Sequence, residues 1–269
     1  MSTDSGSRPE RESLGFDPDA LREKYREERD KRLRPDGNDQ YCQIAGDLSR
    51  YLDDPYVEPD FEREALNEEV EVAIIGGGFS GLLVGARLRD AGVESLRIFE
   101  TGGDFGGTWY WNRYPGAQCD IESYIYLPLL EELNYIPKEK YSYRPEIQAH
   151  SEAIARHYDL YKDACFQTQV TELRWDEDDA QWTLSTNHGD CIKARFVCMA
   201  IGPLSHPKLP GIPGVEDFKG HSFHSSRWDY EYTGGDHEGN LSGLRNKRVG
   251  VIGTGATAVQ FIPYVGEMA

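Results

Sequence analysis

The chain has 269 residues, with 47 acidic against 29 basic side chains, a formal net charge of −18 and a pI near 4.8. That balance excludes a nucleic-acid partner, because phosphate binding needs dense basic clusters and the densest Lys/Arg run, residues 22–34, is of mixed charge. The five cysteines, Cys42, Cys119, Cys165, Cys191 and Cys198, are scattered and form no C-x-x-C pair; a disulfide framework and a metal site are both set aside, and a reducing, cytoplasmic setting is expected.

The opening MSTDSGSRPERES is polar, unlike a signal peptide, and no apolar run approaches the length of a membrane span. Residues 1–15, rich in Ser and charge, are expected to be disordered. Asp17 then caps a helix with Pro18 in its first turn. This charged helix has a thin stripe of Leu21, Tyr25 and Leu33 and should stop at Pro35-Asp36-Gly37. Tyr41, Ile44, Leu48, Tyr51 and Leu52 form a shorter amphipathic stretch, ended by Pro55 and Pro59. Residues 1–65 are therefore read as a helical extension packed on the domain that follows.

Residues 66–205 form that domain, and Val70–Gly81, VEVAIIGGGFSG, is its organising stretch. Val72–Ile75 reads as a buried parallel strand. Gly76, Gly78 and Gly81 then supply G-x-G-x-x-G: a tight turn, close backbone approach to a pyrophosphate, and close packing of helix on strand. The helix continues through Leu82, Leu83, Ala86 and Leu88 to a stop at Gly92, and offers its N-terminal N–H groups to phosphate. A second strand, Leu96–Phe99, ends in Glu100, near the distance expected for the acid that binds a ribose hydroxyl. After it come the glycine-rich run Gly102–Gly107 and the aromatic run Thr108–Gly116, too irregular for helix or strand. They suit a backbone laid against a flat ligand, with aromatic packing beneath a loop a competing reading for Trp111 and Tyr114.

Residues 145–160 read as a helix with Ile147, Ile154 and Leu160 on its apolar face. Val170–Trp175, Gln181–Thr186 and Cys191–Arg195 read as a small antiparallel meander, and Phe196–Ala200 as a separate buried strand. Residues 206–245 look like a Pro-rich linker and loop. Residues 246–269 repeat the opening device: a strand over Val249–Ile252, a turn Gly253-Thr254-Gly255, and Ala258 in place of the third glycine. The fold class is α/β, with two Rossmann-like dinucleotide units, a β-meander and a helical extension.

Within this frame Phe218-x-Gly220-x-x-x-His224-x-x-x-Trp228 resembles the fingerprint F-x-G-x-x-x-H-x-x-x-W of Baeyer–Villiger monooxygenases, and Gly106–Ser123, GGTWYWNRYPGAQCDIES, resembles the flavin-contact loop of the same family. The resemblance covers residues 70–269. It implies FAD on the first turn through Gly76, Gly78, Ser80, Gly81 and Glu100, with Thr108, Trp109, Tyr110, Trp111, Asp120 and Tyr126 along the flavin and Val170 near the adenine. It implies NADPH on Gly253, Thr254, Gly255, Ala256, Thr257, Ala258, Val259 and Gln260, with Gln118, Cys119 and Asp120 at its nicotinamide end. Phe218, Gly220, His224 and Trp228 would tie cofactor binding to domain movement. The implied reaction inserts one oxygen of O2 beside a ketone carbonyl through a flavin C4a-peroxide, giving an ester or lactone. The arginine that stabilises the oxyanion in the family lies beyond Ala269, so no catalytic residue is assigned, and the chain is expected to be part of a longer protein. Two other readings stay open: a flavin-dependent N- or S-oxygenase, against which Trp228 weighs, and a non-catalytic FAD-binding fragment.

Overall fold

The computed structural model describes residues 15–42, 44–204 and 206–269; the expected disorder of the first residues falls almost wholly outside them. Helix α1, Pro18–Asp30, begins where expected, with the Asp17 carboxylate accepting from the N–H of Asp19 (2.9 Å) and Ala20 (3.4 Å). None of its residues is buried: Leu21, Tyr25 and the following Leu33 are all exposed. The thin stripe covers nothing, and i,i+3 ion pairs such as Arg22–Asp19 and Lys31–Glu28 line the surface instead. α1 belongs to a small compact unit made of residues up to 42 with Lys208–Phe218. In it the two-residue strands Tyr41–Cys42 and Leu209–Pro210 pair antiparallel.

Ile44–Pro207 and Lys219–Ala269 make the larger unit. Its six-stranded sheet contains β1 (Asn67–Ile75), β2 (Leu96–Phe99), β3 (Ala164–Cys165), β4 (Val170–Asp176), β5 (Gln181–Thr186) and β6 (Cys191–Met199), in the order β3-β2-β1-β6-β5-β4. β1 lies at the centre, parallel to β2 (Val72 opposite Leu96) and to β6 (Ala73 opposite Val197). Its Ala73 and Ile74 are wholly buried, as a strand covered on both faces requires. Helix α2 (Phe79–Asp90) and helix α5 (Arg144–His157) cover one face, where Leu82, Ala86, Ile98, Ile154 and Leu160 join the main core.

Four local expectations change. Cys191–Arg195 and Phe196–Ala200 are one continuous strand, β6, which pairs antiparallel with β5 and parallel with β1. The meander is thus an extension of the Rossmann sheet. The stretch after Gly107 is not wholly irregular, since Thr108–Trp111 forms a helical turn, α3; two more short helices, α4 (Ser123–Tyr126) and α6 (Tyr230–Thr233), follow in the chain. Between Tyr41 and Leu52 the chain forms a short strand and the 3-10 turn Gly46–Tyr51, burying Leu48 and Tyr51. Val249–Ile252 forms no strand: Val249, Val251 and Ile252 are exposed, and no described strand pairs with them. A strand needs partners for its N–H and C=O groups, which apolar content alone does not supply.

An ion pair latches the segment ahead of β1 to the β5–β6 hairpin. Arg63 donates from Nη1 and Nη2 to the two oxygens of Asp190, at 2.7 and 2.5 Å, and Asp190 also accepts from Leu66 N–H and Thr186 Oγ1. Burial alone would raise the Asp190 pKa; these donors outweigh it and hold the carboxyl well below the usual carboxylate range. A depressed folded pKa gives stability that is complete above the unfolded value, near ~4, and is lost as pH falls towards the folded one. Asp190→Asn should therefore be less stable at pH 7 and lose less on acidification; urea midpoints measured from pH 7 to pH 2.5 check this. Parallel curves for the two proteins would contradict it.

No helix of the described residues is long and apolar enough to cross a membrane.

Candidate functional site

A cleft of about 350 Å3 opens at the C-terminal end of β1, where a Rossmann sheet binds nucleotides. Its walls come from the first glycine turn, Glu100, the Gly106–Trp111 segment, Tyr126, Thr168–Val170, and Ile201, Gly202 and His206. The glycines divide into three roles. Gly76 has φ +112°, and a Cβ there would lie 2.5 Å from the carbonyl oxygen of Ala200, so the turn itself demands glycine. Gly81 faces inward: a Cβ would stand 1.9 Å from the Gly76 carbonyl oxygen. Gly78 is extended, and a Cβ would make only an ordinary 3.5 Å contact with Gly107. Its smallness is therefore not needed by the fold, and it lines the cleft. Gly78 caps α2 without a side chain, leaving the N–H groups of the first turn for an anion.

The second glycine run lies on the first. Gly106 N–H donates to the Gly77 carbonyl at 3.0 Å, and a Cβ on Gly107 would come within 2.8 Å of the Gly78 Cα. Gln148 of α5 supports this loop, donating to the Phe105 carbonyl at 2.7 Å. Its own Oε1 sits against Gly106 with no hydrogen-bond partner among the described residues.

Glu100 is buried and joins the two loops. Its Oε2 accepts from Gly77 N–H at 2.6 Å; its Oε1 accepts from Gly102 N–H at 2.7 Å and from Thr101 Oγ1 at 3.2 Å. Burial raises its pKa, and these donors pull it back without cancelling the rise. A carboxylate has about four lone-pair sites, so acceptor capacity is left for a ribose hydroxyl. The residues present fit a dinucleotide with its pyrophosphate on α2.

Of the residues assigned to FAD from the sequence, Gly76, Gly78, Ser80, Glu100, Thr108, Trp109, Trp111, Tyr126 and Val170 line the cleft. Gly81 and Tyr110 stand behind it, and Asp120 is exposed outside it. Tyr110 donates to Asp54 at 2.6 Å and stacks edge-on against Trp111, which makes it a support of the wall. Trp109 Nε1 donates to Tyr126 Oη at 2.9 Å, fixing both rings.

The second glycine turn repeats the first in backbone detail. Gly253 has φ +121°, and Gly255 caps helix α7 (Ala256–Gly266) in the conformation Gly78 adopts, also without a side-chain cap. Gly253, Thr254, Gly255, Ala256 and Val259 are exposed; Thr257 is half-buried and Ala258 buried. Gln260, half-buried, reaches across to Gln118: its Nε2 donates to the Gln118 carbonyl at 2.8 Å, and its Oε1 accepts from Tyr114 Oη at 2.9 Å. Residues assigned to NADPH from two distant segments thus meet. Cys119 is buried, and burial pushes its thiol pKa up, so it is a poor nucleophile.

In the fingerprint, Phe218 belongs to the small unit and is exposed. Gly220 is exposed. His224 accepts at Nδ1 from Ser226 N–H at 3.1 Å, and burial and Arg227 lower its pKa, so it stands neutral. Trp228 is buried among Phe223, Tyr230 and Phe261, with Nε1 donating to Thr233 Oγ1 at 3.2 Å. Phe261 lies on α7, so the fingerprint tryptophan is packed on the second turn's helix.

Sequence reasoning missed four contributors. Arg227 is buried with its guanidinium 3.7 Å over the ring of Trp111 and its Nε donating to the Asp53 carbonyl, joining fingerprint to cleft wall. The one available signal was its place beside Trp228. Gln148 and the wall residues Thr168 and Gln169 carry no local motif at all.

A family model described as pyridine nucleotide-disulphide oxidoreductase matches residues 73–236. Among curated relatives, a Baeyer-Villiger monooxygenase from Streptomyces coelicolor is 53% identical over 249 residues, covering 93% of this chain and 41% of that protein. Among solved structures, a polycyclic ketone monooxygenase from the thermophilic fungus Thermothelomyces thermophila is 40% identical with a TM-score of 0.86, covering 93% of this chain and 43% of that one. OTEMO in complex with FAD and NADP is 37% identical with a TM-score of 0.67, covering 74% of this chain and 37% of that one. The chain spans roughly two fifths of the length of the curated relatives it matches, 43% for a pentalenolactone D synthase of Streptomyces arenae.

Proposed function

Since the chain belongs to the pyridine nucleotide-disulphide oxidoreductase family, in its Baeyer–Villiger monooxygenase branch, we propose that it carries the FAD site and an NADPH-contacting helix of a monooxygenase that converts a ketone and O2 into an ester or lactone. The observation that carries this reading is the convergence on one cleft of the α2 N-terminus, Glu100 and the ring wall of Trp109, Trp111 and Tyr126. Bound FAD, reduced by NADPH, supplies the oxygen chemistry. What the protein itself contributes is binding, orientation and exclusion of water. The first turn of α2 holds the pyrophosphate, Glu100 a ribose hydroxyl, and the ring wall keeps water from one side of the flavin. Thr254 to Gln260 on the second turn would contact NADPH, with Gln118, Cys119 and Asp120 at its nicotinamide end. Trp228, packed on α7 and flanked by Arg227 over Trp111, links the two cofactor regions. The tryptophan that ends the fingerprint favours ketone oxidation over oxygenation of nitrogen or sulfur. Five free cysteines favour a reducing, cytoplasmic setting.

The test has two stages. The purified chain, titrated with FAD, should quench flavin fluorescence; anaerobic addition of NADPH should then bleach the bound flavin. Binding without bleaching would favour the non-catalytic reading. A protein spanning the relatives' full length, offered a cyclic ketone together with a thioether, should give lactone, and sulfoxide as the sole product would overturn the ketone assignment.

A further inference from the structure

Arg63 precedes β1 and lies outside every segment that the dinucleotide motif uses, yet it holds the wall of the cleft. Besides its two bonds to Asp190, its Nη2 donates to Thr168 Oγ1 at 3.3 Å. Thr168 is almost completely buried, lines the cleft, and donates its N–H to the Glu100 carbonyl at 2.9 Å. The next wall residue, Gln169, is held from the same hairpin: its N–H donates to Asn187 Oδ1 at 2.8 Å, and its carbonyl accepts from Asn187 N–H at 3.0 Å. Thr186 and Asn187 are therefore tied at one end to Arg63 through Asp190 and at the other to the cleft wall. This wall flanks Glu100, whose position at the end of β2 marks the adenosine half of a dinucleotide cleft.

We propose that Arg63 is a positioning residue for the adenosine half of FAD, and that through Thr168 and Asp190 it sets the preference of the cleft for FAD over FMN. The inference rests on the reading that the cleft takes FAD. A guanidinium suits this role, because its planar fork engages both Asp190 oxygens and still has an N–H directed at Thr168. A lysine ammonium keeps the charge opposite Asp190 but cannot span both partners in that geometry.

The experiment compares FAD and FMN, which share the flavin and one phosphate and differ by the AMP moiety. Dissociation constants for both are measured by fluorescence quenching on the ligand-free chain for wild type, Arg63→Lys and Thr168→Val. Both variants should bind FAD about tenfold more weakly, the loss of one hydrogen bond to a charged group, while FMN affinity changes less than about twofold. An unchanged ratio of FAD to FMN affinity would overturn the proposal, whether both affinities fall together, as a merely structural role would give, or neither falls. If Arg63→Lys does not fold, Thr168→Val carries the test of the wall: it removes the hydroxyl that accepts from the guanidinium at 3.3 Å and donates to the Phe166 carbonyl at 2.8 Å. Wild-type protein that binds neither flavin is a separate failure, that of the FAD reading itself, and the inference falls with it.

Discussion

Gly81→Ala should destabilise the protein severely, whereas Gly78→Ala should fold normally and bind FAD poorly. The two glycines sit three residues apart in one motif, Gly78 read from the sequence as the point of close backbone approach and Gly81 as the point where helix packs on strand. Their surroundings differ. A methyl at Gly81 would meet the Gly76 carbonyl oxygen at 1.9 Å, and that oxygen is backbone, fixed in turn because Gly76 N–H donates to the Phe99 carbonyl at 2.8 Å. Relief requires α2 to move off β1, opening the core that Leu82 and Ala86 share with Ile74 and Ile98. Such overpacking costs about 3 kcal/mol or more, a fall in melting temperature of roughly 6–12 °C for a domain of this size. At Gly78 the backbone is extended, a conformation any residue adopts, and the added methyl finds 3.5 Å of room against Gly107. It costs the fold little but stands in the wall where a pyrophosphate approaches. The loss of about two hydrogen bonds to charged phosphate corresponds to about a hundredfold in FAD affinity. Thermal melts of the ligand-free proteins and FAD titrations separate the two effects. A Gly78→Ala protein that purifies fully yellow would refute the assignment of the turn.

That contrast shows what a sequence can and cannot carry. The glycine turns are legible because their requirement is local: Gly76 and Gly253 take the positive φ that favours glycine, and each turn runs directly into a helix. β1 and β2 are legible as short apolar runs, and α2 and α5 because their buried residues recur at helical spacing. β6 was split in two because it serves two neighbours. Residues 191–194, flanked by both β5 and β1, alternate exposed and buried, and residues 196–199, paired with β1 alone, follow another pattern. Apolar Val249–Ile252 looked like a strand, but pairing is a relation between segments and cannot be read from one of them. For the same reason Arg63, Gln148 and Thr168 went unnoticed. Arg63 meets Thr168 across 105 residues and Asp190 across 127, and no spacing rule connects them. The loop Gly102–Gly107 was read as shaped for a ligand. Packing supplies a second reason, since Gly106 and Gly107 also lie against Gln148 and Gly78.

Glu100→Gln should remove FAD binding and weaken the fold, although it changes a single atom. The sequence assigns Glu100 to a ribose hydroxyl, a role glutamine could in part keep. The structure gives both carboxylate oxygens prior work: Oε2 accepts from Gly77 N–H and Oε1 from Gly102 N–H, at 2.6 and 2.7 Å. An amide has one acceptor oxygen and one donor nitrogen. Whichever way it is turned, its NH2 group points at a backbone N–H, and the site is buried, so water cannot intervene. One charge-assisted bond is lost and one buried N–H is left without an acceptor, at a cost of about 3 kcal/mol. The strain falls on Gly77 and Gly102, which brace the two glycine loops, so the cleft loses its shape along with its acid. FAD affinity should drop by more than about a hundredfold. Removing the carboxyl also removes its pH dependence. Because burial raises the folded pKa of Glu100, the folded ligand-free state binds this proton more tightly than the unfolded chain does. Wild type therefore gains stability from this one group as pH falls through that raised value, and Glu100→Gln does not. Asp190 works in the opposite direction over a lower range, so the Asp190→Asn background isolates the contribution of Glu100. Asp190→Asn should already be the more stable of the pair at pH 8, where the double variant lacks the bracing carboxylate. Its urea midpoint should then draw further ahead of the double variant's as the pH is lowered to 4. If the gap between them stays constant, the folded pKa of Glu100 is not raised above that of the unfolded chain, and a gap that narrows towards pH 4 would mean that the braced carboxylate holds it below.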